Sequence, residues 1–216
     1  MKPSRRLFAP IALAAALAGC AGEGDLVINQ GVGITAVRTA CPAVGVPDYT
    51  GDMTLFRTPG QPTAANIDVT AVITNLRSTC NETGERIYSE ATFDVLARRT
   101  DASEARRVEL PYFSTVLRGG SAVQSKRVGT VVIDFAAGQE RAQGSGVAGA
   151  FIDRGAATLP EDIREQITRR REPGDPDAAL DPLANPEVRA ALDRANFELL
   201  VGFQLTQEQL TYNATR

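Results

Sequence analysis

Apolar and polar residues alternate along several short segments of the chain, which is the pattern of β-strands with one buried face. Pro111 is predicted to lie at a sheet edge, because proline lacks the N–H that an inner ladder needs. Turn-forming residues separate the segments, and the spacing predicts a mainly-β chain with antiparallel sheets. The alternation is clearest at 67–73, 93–97, 131–135 and 197–205, and further strands are predicted over 54–56, 106–113 and 141–153.

Helical spacing occurs in one region of the chain. Thr158-Leu159-Pro160-Glu161 has the form of a capping box, and apolar residues then recur at intervals of four. Asn185-Pro186-Glu187 begins a second helix, while the prolines and the glycine of 172–177 forbid a continuous one. A two-helix insertion at about 158–196 is therefore predicted before the last strand. That strand is predicted to run on through residues 206–213 to the end of the sheet.

The predicted arrangement resembles, in architecture alone, an immunoglobulin-like or fibronectin-like β-sandwich. The buried tryptophan of true immunoglobulin domains is missing, because the chain contains no tryptophan. The expected fold is accordingly an antiparallel β-sandwich of this general type with a two-helix insertion.

The first twenty residues have the features of a targeting signal. Three basic residues precede an apolar run over 7–17, which is too short for the ~20 residues that span a bilayer. The run ends in Leu17-Ala18-Gly19-Cys20, which resembles the lipobox of bacterial lipoproteins at all four positions. The resemblance implies that Cys20 is diacylated, becomes the N-terminus after cleavage and is then acylated on its amine. The alternative is an ordinary secretory signal cut near Ala21.

The lipobox divides the chain into a signal peptide at 1–19, a lipid-anchored tether at 20–40 and a β-sandwich domain at 41–216. The residue after Cys20 is Ala21, and not the aspartate that retains lipoproteins in the inner membrane of enteric bacteria. The expected location is therefore the bacterial cell envelope, with the lipid in the outer membrane and the domain facing the periplasm.

The net charge of the chain after removal of the signal peptide indicates which class of partner to expect. Removing residues 1–19 takes away three basic residues and no acidic ones, which leaves 20 basic and 26 acidic residues and a net charge of −6. An acidic domain is a poor match for a nucleic acid, so no nucleic-acid partner is expected. The expected partners are the membrane, through the N-terminal lipid, and another envelope protein.

Two cysteines remain once Cys20 carries lipid, namely Cys41 and Cys80. Export places them in an oxidising compartment, so a structural disulfide between them is predicted. Two free thiols or an intermolecular bridge are the alternatives. Their spacing is not the C-x-x-C of a redox enzyme.

The composition excludes several kinds of catalysis. The chain contains no histidine, which removes Ser-His-Asp and Cys-His nucleophiles and histidine-ligated zinc. Ser125 and Lys126 are adjacent on a predicted strand, so their side chains point to opposite faces and cannot form a dyad. Residues 144–149 fit G-x-G-x-x-G, but strand-like alternation follows them where a dinucleotide site needs a helix. No dinucleotide or other cofactor is therefore expected.

Charged residues cluster in the loop of the helical insertion. Its aspartates lack the further acid and the glycine of an EF-hand loop, so no metal is expected. A second basic group, at 98–99 and 106–107, flanks a predicted hairpin tip at 100–105 and is a candidate to join the arginines of 169–171 in an anion-binding surface. The predicted contact residues toward a partner are Arg169, Arg170, Arg171, Asp175, Asp177 and Asp181.

Two functions of different class follow from these observations. The first is a lipid-anchored, non-catalytic envelope protein that acts as a structural or protein-binding module. The alternative is a lipid-anchored periplasmic hydrolase with a carboxylate-based site, which a cleft with two carboxylates roughly 5 to 9 Å apart would favour.

Overall fold

A computed structural model describes residues 38–216 of the chain. The predictions for the signal peptide, for Cys20 and for tether residues 20–37 lie outside these residues. The strands are β1 Ala43–Gly45, β2 Asp52–Phe56, β3 Ile67–Asn81, β4 Arg86–Arg99, β5 Arg106–Arg118, β6 Ala122–Phe135, β7 Arg141–Asp153 and β8 Phe197–Phe203. The helices are α1 Arg154–Ala157, α2 Glu161–Thr168, α3 Pro186–Ala195 and α4 Gln207–Thr215.

The strands form two four-stranded sheets. The first sheet has the order β1-β8-β5-β6 and the second has the order β2-β3-β4-β7. Neighbouring strands of these sheets pair antiparallel, with the exception of β1 and β8, which run parallel. The predicted mainly-β, antiparallel-rich architecture is confirmed, and so is the helix pair before the last strand.

The two sheets contribute side chains to one hydrophobic core. Alternate residues along the strands point into it, and its largest buried members include Phe93 from the second sheet and Phe135 and Phe203 from the first. Burying a side chain of this size stabilises the fold by about 1.5 to 3 kcal/mol. The outward side chains of the second sheet stay at the surface, where they form the candidate site described below.

Several strands extend further than the alternation predicts. β6 begins at Ala122, although its alternation begins only at Val131, because its first seven residues are exposed. A strand segment without a buried face carries no hydrophobic period, so pattern reasoning misses it. The bounds of β7, in contrast, match the predicted 141–153.

The helix pair has a small apolar cluster of its own, built from Ile163 and Ile167 of α2 and Val188 and Ala191 of α3. The predicted start at Asn185 is confirmed, since its side chain accepts a hydrogen bond from the backbone N–H of Glu187 (2.9 Å).

The predicted capping box at Thr158 is wrong. Pro160 holds the N-cap position of α2 and makes no side-chain cap. Thr158 closes the preceding short helix α1, and its hydroxyl donates to the carbonyl of Arg154 (2.7 Å).

The prediction that the last strand continues through 206–213 is also wrong. β8 ends at Phe203, and α4 follows. Thr206 and Gln209 form a reciprocal capping box that starts this helix. Asn213 of α4 donates to the carbonyls of Tyr49 and Asp52, both at 2.8 Å, which fixes the helix beside β2.

Residues 100–105 are not a hairpin tip. β4 belongs to the second sheet and β5 to the first, so this loop crosses between the sheets. Pro111 lies in β5, which is an inner strand of its sheet, and not at the predicted edge. Pro111 pairs with Thr130 of β6, and its carbonyl faces the other side, where it accepts from the backbone N–H of Gln204 (2.9 Å). The missing N–H faces that same side, where β8 has already ended at Phe203.

The glycines of the G-x-G-x-x-G segment serve close packing in β7. A Cβ at Gly144 would lie 2.7 Å from the carbonyl oxygen of Val132, and one at Gly146 would overlap the ring of Phe93. The strand conformation over these residues is the one predicted for them.

The predicted disulfide is confirmed between Cys41 and Cys80, which are 39 residues apart in sequence and have Cα atoms separated by 6.1 Å. It joins the segment before β1 to the end of β3.

Arg38, at the start of the described residues, donates to the carbonyls of Leu192 (3.2 Å) and Ala195 (2.9 Å) at the C-terminal end of α3, where a cation is stabilised by the helix dipole.

Candidate functional site

Several of the predicted partner-contact residues make contacts inside the chain. Residues 170–179 belong to a compact unit separate from 38–169 and 180–216. Arg171 is buried in this segment, with its side chain 4% exposed, and its Nε lies 3.3 Å from a carboxylate oxygen of Asp177. Asp175 accepts a hydrogen bond from the backbone N–H of Glu172 (3.1 Å).

The remaining members of that set lie on the other unit or at the surface. Asp181 accepts from the backbone N–H of Leu183 (2.9 Å) and so caps the turn at Pro182–Ala184. Arg169 follows α2, and its backbone N–H donates to the carbonyl of Glu165 (2.9 Å). The side chains of Arg169 and Arg170 are exposed. A role for the set in contacting a partner stays a prediction.

Two arginines of the second basic group, Arg106 and Arg107, pair with neighbouring acids. Arg106 makes a bidentate pair with Asp68 at 2.7 and 2.8 Å. The Arg106 guanidinium lowers the pKa of the Asp68 carboxyl, chiefly through this hydrogen bond. Arg107 pairs in the same way with Asp134 (2.8 Å) and lowers the pKa of that carboxyl. These pairs engage Arg106 and Arg107 with acids at the loop where an anion-binding surface was predicted.

Arg99 is buried, and its guanidinium bonds to the backbone of two loops. Its side chain is 1% exposed and lies over the ring of Phe135, 5.0 Å from the centroid. The guanidinium donates to four backbone carbonyls, those of Ala102, Glu104, Ala136 and Gln139, at 2.6 to 3.3 Å. Arg99 therefore joins the 100–105 crossing loop to the β6–β7 turn, and its charge is not available to a ligand.

An open groove of about 620 Å³ lies on the outward face of the second sheet. We call it the arginine groove. Val72 and Leu96 occupy its floor as a cross-strand pair and are 44% and 46% exposed. The lining residues that matter for its chemistry are the apolar pair Val72 and Leu96, the cations Arg98, Arg141 and Arg216, and the acid Asp52.

Strand register explains how these side chains come together. Thr70, Arg98 and Arg141 pair across three neighbouring strands and form one row. The Val72–Leu96 pair forms the next row on the same face, because side chains two residues apart share a face of a strand. The guanidinium row thus borders the apolar row directly.

Two of the three arginines in the arginine groove have acidic partners. Arg98 lies 3.3 Å from Glu140, but both side chains are more than half exposed, so the pair contributes little. Arg216 pairs with Asp52. Arg141 is exposed and makes no ion pair within residues 38–216. Arg141 is therefore the arginine of the groove without an acidic partner in this part of the chain, on a domain whose overall charge is negative.

Sequence reasoning did not identify the arginine groove. Its floor residues stand at the outward positions of alternating strands, where an apolar residue is the exception, and this was the available signal. Arg141 is a single arginine at the start of a strand, and nothing in the sequence indicates that it lies beside Arg98.

A second groove, of about 650 Å³, lies between β2, the following loop and α4. The rings of Phe56 and Tyr212 meet edge to face in its wall, with centroids 5.1 Å apart. Apart from Glu208, its lining carries no charged residue, so it offers no comparable basis for selecting a ligand.

Metal and membrane features add little to this picture. Within residues 38–216, Cys41, Cys80 and Glu82 are the one group of three ligand-type residues whose atoms lie close enough for an ion, but both thiols are consumed by the disulfide. None of the helices in this part of the chain is both long and apolar enough to cross a membrane.

Comparisons with protein-family models, with curated proteins and with solved structures find no match for the chain.

Proposed function

We propose that this protein is a lipid-anchored, non-catalytic binding module of the bacterial cell envelope. The observation that carries the proposal is the Cys41–Cys80 disulfide downstream of the Leu17-Ala18-Gly19-Cys20 motif. A disulfide is typical of exported proteins, and the motif is the one at which bacterial lipoproteins are acylated. Three acyl chains on Cys20 would anchor the chain effectively permanently, since each buried CH₂ contributes ~0.8 kcal/mol.

The proposed location is the outer membrane, with the domain in the periplasm and another envelope protein as a partner. Ala21 supports this location, because it lacks the acidic side chain of the enteric inner-membrane signal. The arginine groove supports a binding role, since it combines exposed apolar floor residues with an arginine, Arg141, that has no acidic partner within residues 38–216. The charged loop that contains Arg170 and Asp175 is the proposed contact to the protein partner.

The immunoglobulin-like or fibronectin-like class also stays a proposal. The parallel pairing of β1 with the last strand supports it, as does the core shared between two sheets. The three consecutive strands β2, β3 and β4 in one sheet are a departure, because the immunoglobulin order places its third strand in the opposite sheet.

The test of the proposed function is acylation and fractionation of the full chain in its bacterial host. Cells are fed an alkyne-tagged fatty acid, and wild type is compared with Cys20→Ala. We expect label and outer-membrane fractionation for wild type and neither for the variant. Cys41→Ser serves as the control, because it should keep the label. Wild-type protein that carries no label, or that fractionates with the cytoplasm, would contradict the proposal.

A further inference from the structure

The arginine groove places two like charges directly opposite each other. Arg98 and Arg141 are register partners on β4 and β7, and the Cβ atoms of such partners lie about 5 Å apart. Like charges at this position destabilise a sheet unless an opposite charge intervenes. Glu140 reaches Arg98 at 3.3 Å, and Arg141 has no acidic partner within residues 38–216. An anion seated between the two guanidiniums would relieve the repulsion.

The apolar floor of the groove indicates that the part of the ligand beyond its charged head is an alkyl chain. The Val72–Leu96 row lies about 7 Å along the strands from the Arg98–Arg141 row. A ligand whose head is bound by the arginines can therefore lay an alkyl chain over the apolar pair. The groove volume of about 620 Å³ lies in the range of small-molecule sites. Arg216 adds a third cation, balanced by Asp52.

We propose that the arginine groove binds a small single-chain amphiphile with an anionic head, whose carboxylate or phosphate lies between Arg98 and Arg141 and whose alkyl chain covers Val72 and Leu96. The head chemistry is shared by fatty acids and by alkyl phosphates. This proposal deepens the binding role proposed above and takes its site from it, but it does not depend on acylation of Cys20.

The test uses the full chain carrying Cys20→Ser, which cannot be acylated, with labelled methyl groups observed by NMR. The probes are decanoate, decyl phosphate and decyltrimethylammonium, whose alkyl tails have nine or ten carbons and whose heads differ. We expect both anions to shift the methyl signals of Val72 and Leu96, and the cation to leave them unchanged. Val123 and Val128 are the internal control, since they are exposed by 63% and 61% on the first sheet and should not move.

Two variants check the role of the charge. Arg141→Gln should weaken decanoate and decyl phosphate binding roughly tenfold, because a charge-assisted hydrogen bond is lost. Arg127→Gln is the matched control, since Arg127 is also an exposed arginine on a strand and lies on the other sheet. Leu96→Ser should weaken binding through the chain while leaving the buried Val95 methyl signals, which report folding, in place.

Binding of one anion but not the other supports the proposal and identifies the head. The proposal is overturned if the ammonium probe binds as well as the anions, if the control valines shift with Val72, or if Arg127→Gln weakens binding as much as Arg141→Gln. Absence of any shift overturns it as well. None of these outcomes alters the acylation result, so failure of the ligand and failure of the anchor are distinguishable.

Discussion

Replacement of Arg99 by methionine tests whether one buried cation holds two loops together. Methionine keeps an unbranched side chain of similar reach and removes the five N–H donors of the guanidinium. The substitution leaves four carbonyls, at Ala102, Glu104, Ala136 and Gln139, without the donor that now serves them. The free energy of unfolding should fall, because these groups lose a charged partner and gain none from the protein.

The magnitude follows from two opposing contributions. Hydrogen bonds from a charged donor stabilise by about 1.5 to 3 kcal/mol each, so four of them set an upper bound of about 6 to 12 kcal/mol. Removing a guanidinium that is 1% exposed also relieves a desolvation penalty of several kcal/mol. The loops are exposed, so water reaches some of the freed carbonyls. We expect a net loss of about 3 kcal/mol, which lowers Tm by about 6 to 12 °C in a domain of this size.

The assay is urea denaturation followed by far-UV circular dichroism, without reductant so that the disulfide stays closed. Arg98→Met is the matched control, because Arg98 is the exposed neighbour whose ion pair with Glu140 should contribute at most about 1 kcal/mol. Arg99→Lys, which keeps the charge on a single nitrogen, should fall between wild type and Arg99→Met. If Arg99→Met loses no more stability than Arg98→Met, the carbonyl contacts do not hold the loops.

Three further predictions concern stability. Removing the disulfide with Cys41→Ser and Cys80→Ser should lower the free energy of unfolding by about 4 kcal/mol, because the bond closes a loop with a sequence separation of 39 and so restricts the unfolded chain. Arg106→Gln should lower stability by about 1 kcal/mol at neutral pH. Because Arg106 lowers the pKa of folded Asp68, its contribution is present above about pH 4 and disappears as the pH falls through the folded-state value. Gly146→Ala should cost about 1 to 3 kcal/mol, since its Cβ would overlap a buried ring.

Each of these has its own control in the same denaturation assay. Cys20→Ser should leave the unfolding curve in place, and a double serine variant as stable as wild type would contradict the loop estimate. The difference between wild type and Arg106→Gln should be absent near pH 2, and a difference that persists there would exclude the ion pair as its source. Gln143→Ala changes an exposed residue of the same strand and should have little effect; an equal loss in both variants would argue against the overlap.

The strands of the second sheet were predictable wherever one face is buried. Val69, Ala71 and Ile73 alternate with outward residues because a pleated strand turns successive side chains to opposite faces. The first half of β6 escaped prediction for the same reason, since neither face is buried there. The crossing of 100–105 between sheets was not predictable, because strand alternation is the same whichever sheet a strand joins.

The arginine groove depends on register, which the sequence does not state. Arg98 and Arg141 are separated in the chain by the whole of β5 and β6, and they meet only because β4 pairs with β7. The capping errors have a local cause. Thr158-x-x-Glu161 and Thr206-x-x-Gln209 both have the sequence of a capping box. Only the second one starts a helix, because Thr158 is the C-cap residue of the short helix α1.

The Cys41–Cys80 bond also decides how a mechanical load enters the domain. Tension applied to the chain before Cys41 meets the cystine before it meets β1, a strand of three residues. The covalent link passes that force to β3, which is held to β4 by eleven register pairs. In a protein held by the proposed lipid anchor, the second sheet would therefore resist the applied force. Reduction of the disulfide would transfer that force to β1, the short strand at the edge of the first sheet.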